Sequence, residues 1–160
     1  MLIRPAHAED NAAIWAIIGP TIWAGETYAL DPLLSEDDAL AYWLGADRET
    51  FVVEDEGAIL GTYYIRQNQA GGGRHVSNCG YMTSAAATGR GVAGRMCEHS
   101  LDYARSRGFT AMQFNFVVST NDRAVRLWQK LGFEIVGRLP LAFEHPSHGY
   151  VDALVMFRHL

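Results

Sequence analysis

A chain of 160 residues that is 49 % hydrophobic and 19 % charged is long enough to bury the core of one ordinary domain and too apolar to stay disordered. A formal charge of −5 argues against general nucleic-acid binding, which needs a basic surface. No run of about 18 apolar residues occurs, so no membrane span is expected. "MLIRPAHAED" lacks a charged start followed by an apolar stretch, and Cys79 and Cys97 lie in apolar surroundings as reduced thiols do, so the expected location is cytoplasmic.

In chain order, Leu2–Arg4 reads as a short first strand, and a helix is predicted from about Ala8 to Ile18 with Glu9 or Asp10 near its positive end. Gly19-Pro20 is expected to stop it. Ser35 and Asp38 in "SEDDALAYWL" stand at capping-box spacing, which predicts a second short helix. "TFVVE" and "AILGTYYIR", joined through acidic residues and Gly57, read as a hairpin, and "QNQAGGGR" as a flexible loop. "HVSNCGYMT" is a fourth strand. The next helix carries Ala93, Met96, Cys97, Ser100, Leu101 and Ala104 on one stripe and stops at Gly108. "AMQFNFVV" is a fifth strand, "NDRAVRLWQKLG" a helix closed by Gly132, and "FEIVGRL" and "YVDALVMFRHL" the last strands. One mixed α/β domain over residues 1–160 follows.

Within this order, "TGRGVAG" places Gly89, Gly91 and Gly94 where a helix must begin, although glycine costs about 1 kcal/mol in a helix relative to alanine. A helix start exposes unpaired N–H groups and carries about half a positive charge. Glycines there let an anion reach the backbone, and Arg90 and Arg95 add cationic side chains. The stretch therefore reads either as a pyrophosphate cradle or as a plain connecting turn. A Walker loop is a poor fit, since no lysine follows, and a Rossmann fingerprint would come earlier in a parallel unit.

The stretch resembles the acyl-CoA loop of the GCN5-related N-acetyltransferases, Gln/Arg-x-x-Gly-x-Gly/Ala, with Thr88, Gly91 and Ala93 at the three named positions. Thr88 departs from the pattern, but the backbone role does not need that side chain. "NDRAVRLWQKLGF" is similar to the family's Asn-x-x-Ala-x-x-Leu-Tyr-x-Lys-x-Gly-Phe segment, with Asn121, Ala124, Leu127, Lys130, Gly132 and Phe133 in register. The resemblance implies a central, mostly antiparallel sheet of about seven strands with helices on both faces, and acetyl-CoA as co-substrate. It implies a carrier site made by the backbone of Tyr81, Met82 and Thr83, by Gly89, Arg90, Gly91, Val92, Ala93 and Gly94, and by the Asn121 side chain. Asn121 also reads as a helix N-cap, and both roles can hold together.

Trp128 stands where the family usually has a tyrosine general acid. An indole N–H only donates, so Trp128 is read as an apolar anchor. Asn78 and Asn115 break a local rule, because asparagine is depleted in strands, and such breaks concentrate at functional sites. "VSNCGYMTS", "FNFVVSTN" and "GYVDALVMFRHL" together resemble the fungal acetyltransferases that detoxify azetidine-2-carboxylate and related cyclic imino acids. That likeness implies that Asn78 and Asn115 orient the acceptor amine and the acetyl carbonyl.

Direct transfer of acetyl to a small-molecule amine is the expected reaction. Glu26 and Tyr28, in "TIWAGETYALDP", are candidate substrate-binding residues, and Glu26 or His75 a candidate base. Glu26 reads equally well as an exposed loop acid, and His75 more readily as a solvated residue at the start of a strand. No metal is expected, because the histidines are scattered. A homodimer through the last strand and Phe143–Tyr150 is expected by fold analogy. Other readings stay open: an acyl-CoA sensor without turnover, transfer to another amino acid, a polyamine or a protein N-terminus, and a nucleotide site.

Overall fold

In the computed structural model, which describes residues 1–160, β1 (Leu2–Pro5) leads into α1 (Asn11–Ala24), α2 (Glu36–Trp43), β2 (Arg48–Asp55) and β3 (Ala58–Gln67). There follow β4 (Val76–Thr83), α3 (Val92–Ser106), β5 (Ala111–Val118), α4 (Asp122–Lys130), β6 (Glu134–His145) and β7 (Gly149–His159). The strands form one sheet in the order β1-β2-β3-β4-β5-β7-β6. Every neighbouring pair is antiparallel except β4 and β5, which run parallel. These two are in register only at Val76↔Ala111 and Ser77↔Met112. Beyond that point they part, and the middle of the sheet opens into a cleft.

The alternation of side chains along a strand divides the core in two. On one face, α1 and α2 bury Ile14, Ile18, Ile22 and Trp43 against Val52, Tyr64 and Met82. On the other, α3 and α4 bury Met96, Leu101 and Trp128 against Tyr63, Met112, Phe114 and Met156. Helices thus cover both faces of the sheet.

Two boundaries differ from expectation. α1 does not stop at Gly19-Pro20 but runs on to Ala24 and ends at Gly25, whose φ of 63° gives a left-handed cap. Proline inside a helix costs about 3 kcal/mol. Ile14, Ile17, Ile18 and Ile22 keep helical period across Pro20 and are all buried, and that packing outweighs the local penalty. β6 likewise runs past Pro140 to His145. It is the edge strand, so a missing N–H there breaks no inner ladder. The irregularity is absorbed where the β6–β7 register shifts between Leu139 and Phe143, with Leu141 at φ 49° and its N–H held by Asp152 Oδ1 at 2.9 Å.

The longer α1 sets the start of the next loop, which crosses the sheet and brings Tyr28 onto β4. The Tyr28 hydroxyl accepts from Tyr81 N–H at 2.8 Å and donates to Tyr81 C=O at 2.9 Å. These backbone groups face the cleft, where β5 no longer supplies partners, and the phenol takes the place of the missing strand.

Candidate active site

Two cavities meet at the cleft. The first, of about 260 Å³, lies on the α1/α2 side and is lined by Tyr28, Tyr42, Tyr64, Arg66, Asn78 and Asn115 among others. The second is a groove of about 460 Å³ along the start of α3 and α4, lined by Thr83, Gly89, Gly91 to Gly94 and Asn121. Tyr81 and Trp128 line both.

Glycine chemistry builds the groove. Gly89 and Gly91 adopt φ of 79° and 74°, and a Cβ at either would meet no atom within 4 Å. Left-handed backbone at these positions turns the chain so that successive N–H groups converge. Gly89, Gly91, Val92, Ala93 and Gly94 donate their backbone N–H to no acceptor in the protein. Such a row at a helix N-terminus fits a diphosphate, and the groove continues past it to Asn121, Leu127 and Trp128, a path that an extended thiol arm can follow. Asn121 caps α4 through its Oδ1, which accepts from Ala124 N–H at 3.3 Å, and this leaves its amide N–H₂ for a ligand.

The other expected carrier residues fall on both sides of this division. Tyr81 and Thr83 line the groove. Met82 is buried in the α1/α2 core, and antiparallel alternation turns its backbone groups toward β3. Arg90 lies outside the groove, its guanidinium 2.6 Å from Asp55. Arg123, not singled out from the sequence, does line it. Its place in the first turn of α4, two residues past Asn121, was the available signal.

In the first cavity, β5 carries a bulge between Phe114 and Val117, a device that re-aims side chains. Asn115 sits in it. Its Oδ1 accepts from Gln113 Nε2 at 2.9 Å, and its Nδ2 donates to Asn68 Oδ1 at 2.7 Å. Asn78 donates to Gln113 C=O across the cleft at 3.0 Å. Asn78 is register partner to Arg66 on β3, so the two side chains share a face of the sheet. Glu26 is exposed and stands outside both cavities, as does His75. Tyr28, by contrast, lines the first cavity.

No carboxylate or imidazole lines the first cavity, and Arg66 is its one charged group. Burial pushes the hydroxyls of Tyr28, Tyr64 and Tyr81 well above the ordinary tyrosine value, so these groups stay protonated. Cys79, also in the lining, has its thiol raised by burial, and burial pushes Cys97 up to about 12. Neither can serve as a thiolate nucleophile near neutral pH. Trp128 is 8 % exposed and packs on Tyr81 and Phe114 with ring centroids 5.1 and 5.2 Å away. It is an apolar anchor that also walls the junction of the cavities. No group of His, Cys, Asp and Glu side chains is arranged to hold a metal.

A helix-start anion cradle opening through a split β4–β5 pair onto a second cavity defines an acyl-CoA-dependent transferase. The acetyltransferase (GNAT) family model matches residues 19–133, and the chain belongs to that family. It is similar in sequence to the N-acetyltransferase aca1 of Schizosaccharomyces pombe, 27 % identical over 152 residues, 84 % of this chain and 73 % of that one. In structure it is similar to a GCN5-related N-acetyltransferase from Kribbella flavida, with a TM-score of 0.94 at 44 % identity over 99 % of this chain and 97 % of that one. A phosphinothricin acetyltransferase from Sinorhizobium meliloti, solved with acetyl-CoA, shares the fold at a TM-score of 0.85 and 22 % identity, covering 99 % and 88 % of the two chains. The protein is an acetyl-CoA-dependent N-acetyltransferase.

Proposed function

We propose that the chain transfers acetyl from acetyl-CoA directly to the amine of a small molecule held in the first cavity, with cyclic imino acids such as azetidine-2-carboxylate or a proline analogue among its acceptors. The meeting of the two cavities at Tyr81 and Trp128 carries this reading, because an amine in one cavity and a thioester in the other are brought face to face there. A volume of about 260 Å³ suits a small acceptor and is a poor fit for a long polyamine or a peptide.

In this mechanism the N–H row at the start of α3 holds the diphosphate, and Asn121 steadies the arm. Asn78 Oδ1, which accepts no hydrogen bond from the protein, takes an N–H of the acceptor and aims its lone pair. Asn115, fixed by Gln113 and Asn68, orients the acetyl carbonyl. Tyr81 lines both cavities, and its N–H, held by the Tyr28 hydroxyl, becomes available to a developing oxyanion when that hydroxyl gives way. The neutral amine nitrogen bonds the acetyl carbon, the C–S bond breaks, and the proton shed by the nitrogen passes through water to the departing thiolate. A thiol pKa of about 8.5 makes that departure tolerable without a tyrosine acid. Holding both reactants in near-attack geometry supplies several kcal/mol of the barrier reduction.

The buried free cysteines suit a reducing cytoplasm. The β6 edge exposes Ile135, Val136 and Leu141, and apolar residues along an unpaired edge favour a homodimer through this strand. Release of thiol from acetyl-CoA, followed across cyclic imino acids, amino acids, arylamines and polyamines, tests the reading. Amine-dependent release with the cyclic imino acids is the expected result. Tight acetyl-CoA binding with no turnover on any amine overturns it in favour of a sensor.

A further inference from the structure

Asp47 serves two arginines. Arg48 Nε donates to its Oδ1 at 2.8 Å, and Arg66 Nη1 to its Oδ2 at 3.2 Å. Neither guanidinium is satisfied: Arg48 Nη1 and Arg66 Nε are buried N–H groups without any hydrogen-bond partner. A buried donor left unpaired is costly, more so when charged. Arg48 lies over the rings of Tyr42 and Tyr64, 4.7 and 4.6 Å from their centroids, and both rings line the first cavity together with Arg66. Two cations thus share one anion, and one of them, Arg66, lines a cavity that has no carboxylate of its own.

We propose that Arg66 is the anchor for a carboxylate on the acceptor, so that this enzyme acetylates amines that bear an acid group next to the nitrogen. The inference rests on the acetyl-transfer reading above. Arg66 and Asn78 are register partners on β3 and β4, and such residues stand about 5 Å apart. Both side chains therefore rise from adjoining points on one face of the sheet and line the same cavity, so one α-amino or α-imino acid can meet both, with the acid on Arg66 and an amine N–H on Asn78 Oδ1. An acceptor that is only a cation meets the net positive charge of two arginines sharing one carboxylate, and the neutral amide analogue of an acid leaves the arginine as it was.

Binding and turnover are measured separately. Azetidine-2-carboxylate, proline and methionine, each paired with its own carboxamide, are titrated calorimetrically into the full-length protein saturated with CoA, which cannot transfer. At least one acid is expected to bind roughly 10- to 100-fold tighter than its amide, the range for hydrogen bonds to a charged partner. Arg66→Gln is expected to erase that preference, Arg66→Lys to keep part of it, and CoA affinity to stay unchanged in both. Asp47→Asn, which releases Arg66 from its one acid, is expected to tighten binding of the acid. Equal binding of acid and amide in every pair overturns the proposal, as does an acid preference that survives Arg66→Gln. Thiol release from acetyl-CoA with the same pairs reports on the transfer reading alone. No release, with an Arg66-dependent acid preference intact, removes transfer to these amines and leaves the anchor standing.

Discussion

Asn78 is 6 % exposed, donates one hydrogen bond to Gln113 C=O and turns an unpaired oxygen to the cavity. In the proposed mechanism its truncation removes the group that aims the acceptor while leaving the α3 cradle untouched. Asn78→Ala is expected to lower kcat/KM by roughly 10- to 100-fold, the worth of a hydrogen bond to a reacting group, with acetyl-CoA affinity within about twofold of the parent. Steady-state thiol release and calorimetry check both halves, and parental rates would remove Asn78 from the mechanism. The same cavity holds no side chain able to take a proton near neutral pH, since its buried tyrosines and thiol are raised. The reactive species is then the amine that has already lost its proton to water. The rate kcat/KM should rise with pH along the acceptor's own titration and level off above its pKa. Two acceptors of different amine pKa should give displaced profiles. A shared inflection near about 7 for both would instead reveal an enzyme base.

At the scale of elements, the start of α3 shows why a local motif was legible and a distributed one was not. "TGRGVAG" is contiguous, so its glycines, φ values and free N–H groups follow from neighbours in the chain. Gly91→Val puts a branched side chain at φ 74°, which costs about 1–2 kcal/mol and stands over the N–H row. A fall in Tm of roughly 2–8 °C and at least a tenfold weaker acetyl-CoA complex are expected by thermal melt and calorimetry. Tyr28 and Tyr81, by contrast, meet across 53 positions, and Arg48, Arg66 and Asp47 come from a strand pair and the loop before it. No period or spacing in the chain announces such meetings. The same limit explains Pro20 and Pro140. Local rules end an element there, while the burial that overrides them belongs to the whole sheet. Asp10 is a further tertiary link. Arg4 grips it through Nη1 and Nη2 at 2.8 and 2.9 Å, tying β1 to the start of α1. That hydrogen bonding lowers its pKa from 3.8 to about 2. The folded value lies below the unfolded one, so the stability is full above about pH 4 and is lost as pH falls from there through about 2. A shift of that size is worth about 2 kcal/mol. Asp10→Asn should forfeit it at pH 7, and its stability should be flatter than the parent's between pH 4 and 2 in urea titrations.

At the scale of the molecule, the fold class was legible because the order of strands and helices and the two family-like segments all lie in the linear chain. What the order alone did not contain is the division of labour across the sheet. The groove at the start of α3 is built on the α3/α4 side and the first cavity on the α1/α2 side, and they share Tyr81 and Trp128 where β4 leaves β5. In the proposed mechanism one substrate sits in each cavity and both are held at once, while the two candidate nucleophiles at the junction are kept protonated. The thiol of Cys79 is kept protonated by burial, and the hydroxyl of Tyr81 is likewise raised and is bonded to Ser100 at 2.7 Å. A covalent acetyl-enzyme would need one of them as a nucleophile. Initial rates measured over a grid of acetyl-CoA and acceptor concentrations should therefore give reciprocal plots that intersect, as a ternary complex requires. Mass spectrometry after incubation with acetyl-CoA alone should find the chain at its unmodified mass. Parallel reciprocal plots, together with an acetyl adduct that disappears in Cys79→Ala, would mean that the two cavities work in turn rather than together. The meeting of the two cavities at Tyr81 and Trp128 predicts the first outcome.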